Sequence, residues 1–323
     1  MERKVREICK KSKILAMVLA VVFMVLAQSA VVKAEETVEV TVDGILYELD
    51  EENKIASLKT YTNKSDANCK EIIIPNQVVY DGERYTVTSI GNSAFKDAQY
   101  LEWITIPNTV ESIGNEALCN CKNIKKLVIP DSVMSMGDSS IQGCTSLEEV
   151  VLPAKLEDLS LAMLNGCVNL NKITLPENLK GIAIAAFNGC VSLEQLTLPN
   201  SLQAIGWGAF SNCTGLTQLV IPEGVEYASG DCIDGCSNME AVFYPANLKE
   251  SFEESALETV VQVSYIVNDD GTVSLTGEHL PEGMTEISLP RDIGGRQIVS
   301  ITGPQGVNLP VSCTKHYTKT YTK

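Results

Sequence analysis

A proline returns every 23 residues. Pro107, Pro130, Pro153, Pro176, Pro199, Pro222 and Pro245 keep that spacing without a gap. Cys121, Cys144, Cys167, Cys190, Cys213 and Cys236 follow the first six of these prolines by fourteen residues. Three positions before the cysteine column stand Phe95, Leu118, Ile141, Leu164, Phe187, Phe210 and Ile233, with Ala98 in the cysteine place of the first unit. Three after it stand Leu101, Ile124, Leu147, Leu170, Leu193, Leu216 and Met239. A fixed period of this length predicts a solenoid. One such unit cannot bury its own apolar side and must stack on the next.

Each unit carries L-x-x-L-x-L-P, as in Leu193, Leu196 and Leu198 before Pro199. The last two leucines alternate with polar residues, which places both on one face of a short strand. Proline has no N–H to offer the ladder and ends the strand at a corner. The I-G-x-x-A-F stretch, as in Ile205–Phe210, reads as a tight turn with a short helical or extended segment. Gly or Asn before each cysteine (Asn120, Gly143, Gly166, Gly189, Asn212, Gly235) suits left-handed backbone. The fold class is therefore an α/β-type repeat solenoid: short parallel strands and turns, with short helical segments.

ITIPNTVESIGNEAL (104–118), SIGNSAF (89–95) and the G-C-x-x-L turn resemble the BspA-like class of leucine-rich repeats, over roughly residues 71–250. The resemblance implies a leucine-rich-repeat solenoid, export to the bacterial surface or beyond, and binding, often adhesive, as the class of function. It transfers no binding residues, because the family's shared positions are structural.

The flanking segments differ from the array. Residues 1–13 hold six Lys/Arg and two Glu and are followed by ILAMVLAVVFMVLA and then Val32-Lys33-Ala34. That order predicts a cleaved signal peptide over 1–34. Its loss would take seven of 25 basic and two of 41 acidic residues and leave a net charge of −21. Such a charge argues against nucleic-acid partners and anionic membrane surfaces. No later segment has membrane-spanning length. Residues 35–70 read as an N-terminal cap built on a hairpin at Asp43-Gly44, and a second hairpin is expected at Asp81-Gly82. The 251–303 segment repeats features of the N-terminal cap and reads as a C-terminal cap or the start of a second module. Residues 304–323 lose the pattern and are expected to be disordered.

Little in the sequence carries chemistry. One cysteine per turn reads as a column of buried thiols, with Cys119–Cys121 and Cys232–Cys236 the pairs most open to a disulfide. The only histidines are His279 and His316, and NDDGT (268–272) lacks the spaced acids of a calcium loop. The expectation is no catalytic residue, no cofactor and no metal.

The strand positions that alternate with the core leucines remain. Four residues before each proline stand Trp103, Lys126, Glu149, Lys172, Gln195, Gln218 and Ala241. Two before it stand Thr105, Val128, Val151, Thr174, Thr197, Val220 and Phe243. Stacking would line them into one outward ribbon. The candidate ligand-binding residues are Trp103, Lys126, Glu149, Lys172, Gln195 and Gln218, with Trp103 the leading anchor. Trp103 and Phe243 are the two outward rings expected, at opposite ends, and Trp207 is expected to pack on its neighbour. This predicts a secreted or cell-surface, non-catalytic, adhesin-like protein that binds extracellular proteins of host or neighbouring cells. The alternative is a carbohydrate-binding or accessory module, with glycans as partners.

Overall fold

The computed structural model describes residues 37–253, 260–279, 286–302, 308–310 and 318–320. The fold is the unit Glu39–Lys323; of the preceding unit, Met1–Val38, only residues 37 and 38 are described. The leader assigned to 1–34 lies outside the described residues. So does most of the 304–323 tail, of which Asn308–Pro310 and Thr318–Thr320 are described, as strands paired with Ile298–Thr302 and Glu286–Ser288.

The repeat folds into a β-solenoid of about eight turns. Two parallel ladders run along it. Ribbon strands of three residues precede the corner prolines and pair one period apart, as Lys126↔Glu149↔Lys172. Flank strands of two residues follow the I-G turn's own phase: Ser89↔Ser112↔Ser135, then Asp158↔Gly181↔Ala204↔Tyr227. Between the ladders the three apolar columns meet. Phe187, Phe210, Leu193, Leu216 and their counterparts in the other turns are buried, and the Phe187 and Phe210 rings stack at 5.5 Å. Burying a side chain of this size is worth roughly 1.5–3 kcal/mol.

The short helical segments expected in I-G-x-x-A-F are not there; that stretch is turn, and the α-helix among the described residues is Lys249–Glu253, after a 3₁₀ turn at Ala246–Leu248. The reason is a hydrogen-bond pattern no helix can hold. Ser93, Phe95 and Asp97 send their N–H groups to Asn115, Ala117 and Cys119 of the next turn, while Ala94, Lys96 and Ala98 bond three residues back. Backbone alternation of this kind needs left-handed residues, and two columns supply them. One is Ser93, Glu116, Ser139, Ala162, Ala185 and Gly208; the other is Asp97, Asn120, Gly143, Gly166, Gly189, Asn212 and Gly235. The sequence marked only the second, because Ser, Glu and Ala seldom signal positive φ.

The cysteine column has a bonding role. Each thiol donates to a carbonyl in the previous turn, 26 residues back: Cys121 to Phe95, Cys144 to Leu118, Cys167 to Ile141, Cys190 to Leu164, Cys213 to Phe187 and Cys236 to Phe210, at 3.0–3.3 Å. All six are buried and free, as are Cys119 and Cys232. Burial pushes the thiols of Cys121, Cys167 and Cys213 up to about 12 and that of Cys236 to about 11.

Both ends of the stack are closed by sheet. At the N-terminus Val38–Val42 and Ile45–Asp50 turn at Asp43 (φ 49°) and Gly44 (φ 76°). Ile55–Tyr61 then pairs in parallel with Glu83–Ile90, which feeds the flank ladder. The second hairpin forms at Asp81-Gly82. At the C-terminus Val261–Val267 extends the ribbon sheet beside Ala241–Pro245, then pairs with Val273–His279 and through it with Ile298–Thr302.

Candidate functional site

The ribbon presents the residues singled out from the sequence, but not as one continuous strip. Its ladder falls into three pieces: Glu71–Ile73 with Trp103–Thr105; Lys126–Val128, Glu149–Val151 and Lys172–Thr174; and Gln218–Val220 with Ala241–Pro245 and the C-terminal strands. The segment 195–197, between the second and third pieces, forms no ladder. Gly215 and Gly224 bracket this place. A Cβ on Gly215 would stand 2.6 Å from the Val191 carbonyl oxygen, and one on Gly224 2.9 Å from that of Asn200. The turn that carries Gly215 and Gly224 is thus drawn tightly onto the turn before it at both ends of the unpaired segment.

Trp103 stands out from the ribbon, 54% exposed. The column two before proline adds Ile73, Val128 and Val151, all exposed, so an apolar line, interrupted by Thr105 in the indole's own turn, crosses the N-terminal turns. Ile73 was missed in the sequence because its unit is lengthened by the second hairpin. Lys126, Glu149 and Lys172 come together as one ion group. The Glu149 carboxylate accepts from Lys126 Nζ through Oε1 and from Lys172 Nζ through Oε2, each at 3.0 Å. Both lysines hold that carboxyl below its ordinary range, Lys126 first. Gln195 is exposed and Gln218 half-buried.

The ribbon ends earlier than the repeat predicts. Ala241 and Phe243 occupy outward positions, yet both are buried, in a cluster with Val261, Val263, Tyr265, Val273, Leu275, Ile293 and Ile298. The C-terminal strands and the 289–297 loop fold over that end of the face. Tyr265 Oη donates to the Ile221 carbonyl at 2.7 Å, and Arg296 pairs with Glu223 at 3.1 Å. Phe243 is therefore a core residue, and of the two rings expected on the ribbon only Trp103 faces solvent. Where the cover meets the ribbon, a cleft of about 600 Å³ lies between Thr197, Pro199, Val220 and Pro222 on one side and Asp292, Gly294 and Gly295 on the other. Trp207 stands on the flank, its indole N–H bonded to the Tyr227 hydroxyl of the neighbouring turn, and its side chain is exposed.

Among the described residues no group of three or more His, Cys, Asp or Glu is arranged to hold a metal ion, and no helix is long and apolar enough to cross a membrane. The ribbon offers shape, apolar surface and fixed charge.

A family model for the BspA type leucine rich repeat region matches residues 57–183 and 162–277, in six copies. The chain belongs to this family. Among solved structures it is similar to a leucine rich cell surface protein from Faecalibacterium prausnitzii, at 23% identity and a TM-score of 0.59, over 85% of this chain and 72% of that one. It is also similar to a leucine-rich repeat protein from Eubacterium ventriosum, at 26% identity and a TM-score of 0.53, over 63% of this chain and 51% of that one. The BspA-type chain thus spans about half the length of the second. No curated protein matches it. The likenesses establish the fold, and the family is one of surface proteins whose repeats suggest a protein-binding module.

Proposed function

We propose that this chain is a secreted or cell-surface, non-catalytic binding protein of adhesin type. It engages extracellular proteins of host or neighbouring cells through the N-terminal two-thirds of the ribbon. One observation carries the reading: Trp103 stands exposed beside the apolar line Ile73, Val128 and Val151, next to the Lys126–Glu149–Lys172 group. An exposed aromatic anchor with aliphatic residues and fixed charges beside it is the composition of a protein-binding hot spot. The surface is preorganised by the ladder, so little entropy is lost on docking. The leader-like N-terminus and the family support export. The F. prausnitzii neighbour is itself described as a cell surface protein. A carbohydrate platform would call for several stacked rings, and the burial of Phe243 leaves the ribbon one.

The test is a binding screen against arrayed extracellular-matrix proteins and glycans. Trp103→Ala combined with Lys126→Ala is expected to lower affinity for a protein hit at least about tenfold, since anchor residues carry most of the energy. Its melting temperature should match the parent's, because both side chains are exposed. A glycan hit, or a protein hit indifferent to these changes, would refute the ribbon reading.

A further inference from the structure

A second line of apolar side chains reaches solvent on the flank, away from the ribbon. Its column is the residue after the glycine of I-G. In three turns that residue is Asn92, Asn115 or Asp138, and each side chain accepts a backbone N–H from the next turn. Asn115 donates to Asn92 Oδ1 at 2.8 Å, Asp138 to Asn115 Oδ1 at 2.9 Å and Leu161 to Asp138 Oδ1 at 3.2 Å. The next three turns carry Leu161, Ile184 and Trp207, which are 43%, 50% and 61% exposed. Their side chains cannot accept the N–H of the next turn, and they gain no burial in exchange. Neither stability nor solubility accounts for that substitution, three turns running.

Tyr227 completes the stripe. It is 51% exposed, and its hydroxyl accepts the Trp207 Nε1–H at 3.1 Å, which fixes the two rings together. Gly181 and Ala204, the small residues between Asp158 and Tyr227 in the flank ladder, leave the platform unobstructed. Four turns at the spacing of paired strands make it about 15 Å long. Its rim is acidic. Glu157 pairs with Lys180 at 2.7 Å, but Asp158, Glu226 and Asp231 hold no basic partner among the described residues. The Asp231 carboxylate accepts the Ser229 hydroxyl.

We propose that this stripe is a docking surface for a cationic amphipathic peptide, distinct from the ribbon. Leucine-like side chains of the peptide would lie on Leu161, Ile184 and the Trp207–Tyr227 pair. Its lysines or arginines would meet Asp158, Glu226 and Asp231 and the exposed indole face. Charge complementarity selects this occupant. A second copy would bring the same carboxylates to the interface, on a chain of net charge −16. A neutral sugar would leave the rim unmatched.

The chain has two tryptophans, so Trp103→Phe leaves Trp207 as the sole indole reporter. The full-length Trp103→Phe protein is titrated with a short synthetic leucine–lysine amphipathic peptide that lacks tryptophan. The expected result is a saturable blue shift of the Trp207 emission that weakens as salt is raised. Adding Ile184→Ser should weaken binding about tenfold with the circular dichroism spectrum unchanged. The proposal is overturned by no shift, by an equal shift with a leucine–glutamate peptide of the same pattern, or by indifference to Ile184→Ser. A blue shift that grows with protein concentration in the absence of peptide, with dimer in sedimentation, would assign the stripe to a second copy instead and equally overturn it.

Discussion

In the turns around Trp103, Lys126 and Glu149 exposed apolar residues line the ribbon, with Met134 exposed beside the flank, and the flank column after I-G is stitched by Asn92, Asn115 and Asp138. In the turns around Ile184, Trp207 and Ala241 the arrangement is exchanged: apolar residues stand on the flank, and the ribbon disappears beneath the C-terminal strands. The core columns do not change between these regions. Phe95 and Phe210, Leu147 and Leu216 occupy equivalent buried places. A solenoid thus separates two kinds of position. Inward columns answer to stacking and are held in every turn; outward columns are free to serve different surfaces in different turns.

The largest effect should come from the column common to both regions. Burial holds the thiols of Cys121, Cys167 and Cys213 at about 12, whereas an unfolded thiol ionises near 8.5. The stability they lend is present below about pH 8.5 and falls as pH rises toward their folded values. The loss is about 1.4 kcal/mol per thiol for each pH unit in that window. Urea midpoints measured from pH 8 to 10.5 should fall steeply. Replacing a cysteine by alanine in either region should blunt the slope equally; a flat profile would show that the thiols are not buried as donors. Next, Leu147→Ala and Leu193→Ala should each cost about 2–4 kcal/mol through a core cavity, whichever region carries the change. A cost confined to one region, read from thermal midpoints, would break the claim of a shared core.

Two smaller changes sharpen the contrast between surfaces. Ile184→Asn restores the Asx residue to its column, where its side chain would accept the Trp207 N–H as Asn92 accepts that of Asn115. The backbones match: a Cβ on Gly206 would stand 2.7 Å from the Ile184 nitrogen, as one on Gly114 would stand 2.6 Å from the Asn92 nitrogen. The variant should gain about 0.5–1.5 kcal/mol and lose peptide binding. An unchanged or lowered melting temperature would mean that the flank column carries no hidden cost. Smallest, Ser140 is fully buried and its hydroxyl has no partner among the described residues, where other turns place Ala94, Ala117, Ala186 and Ala209. Ser140→Ala should raise stability by about 1 kcal/mol.

The core was legible because periodicity reports burial directly: Phe187, Cys190 and Leu193 could be assigned inward from spacing alone. The ribbon's alternation was legible for the same reason, and it placed Trp103 outward. Phe243 was not, since what covers it arrives from Val261, Tyr265 and Ile293, which stand outside the period. The missing helical segments trace to Ser93, Glu116 and Ala162, whose left-handed backbone leaves no mark in residue type. The ion group at Glu149 needed the register of three strands, which spacing implied but did not draw.

The spacing of the thiol bonds has a consequence for how such a chain can grow. Donor and acceptor lie 26 residues apart, one repeat and three residues more. An in-frame duplication or deletion of whole repeats therefore gives every interior thiol an equivalent carbonyl. The array can lengthen or shorten by recombination between its own turns without orphaning a bond, and lineages can vary the reach of the protein in single heritable steps.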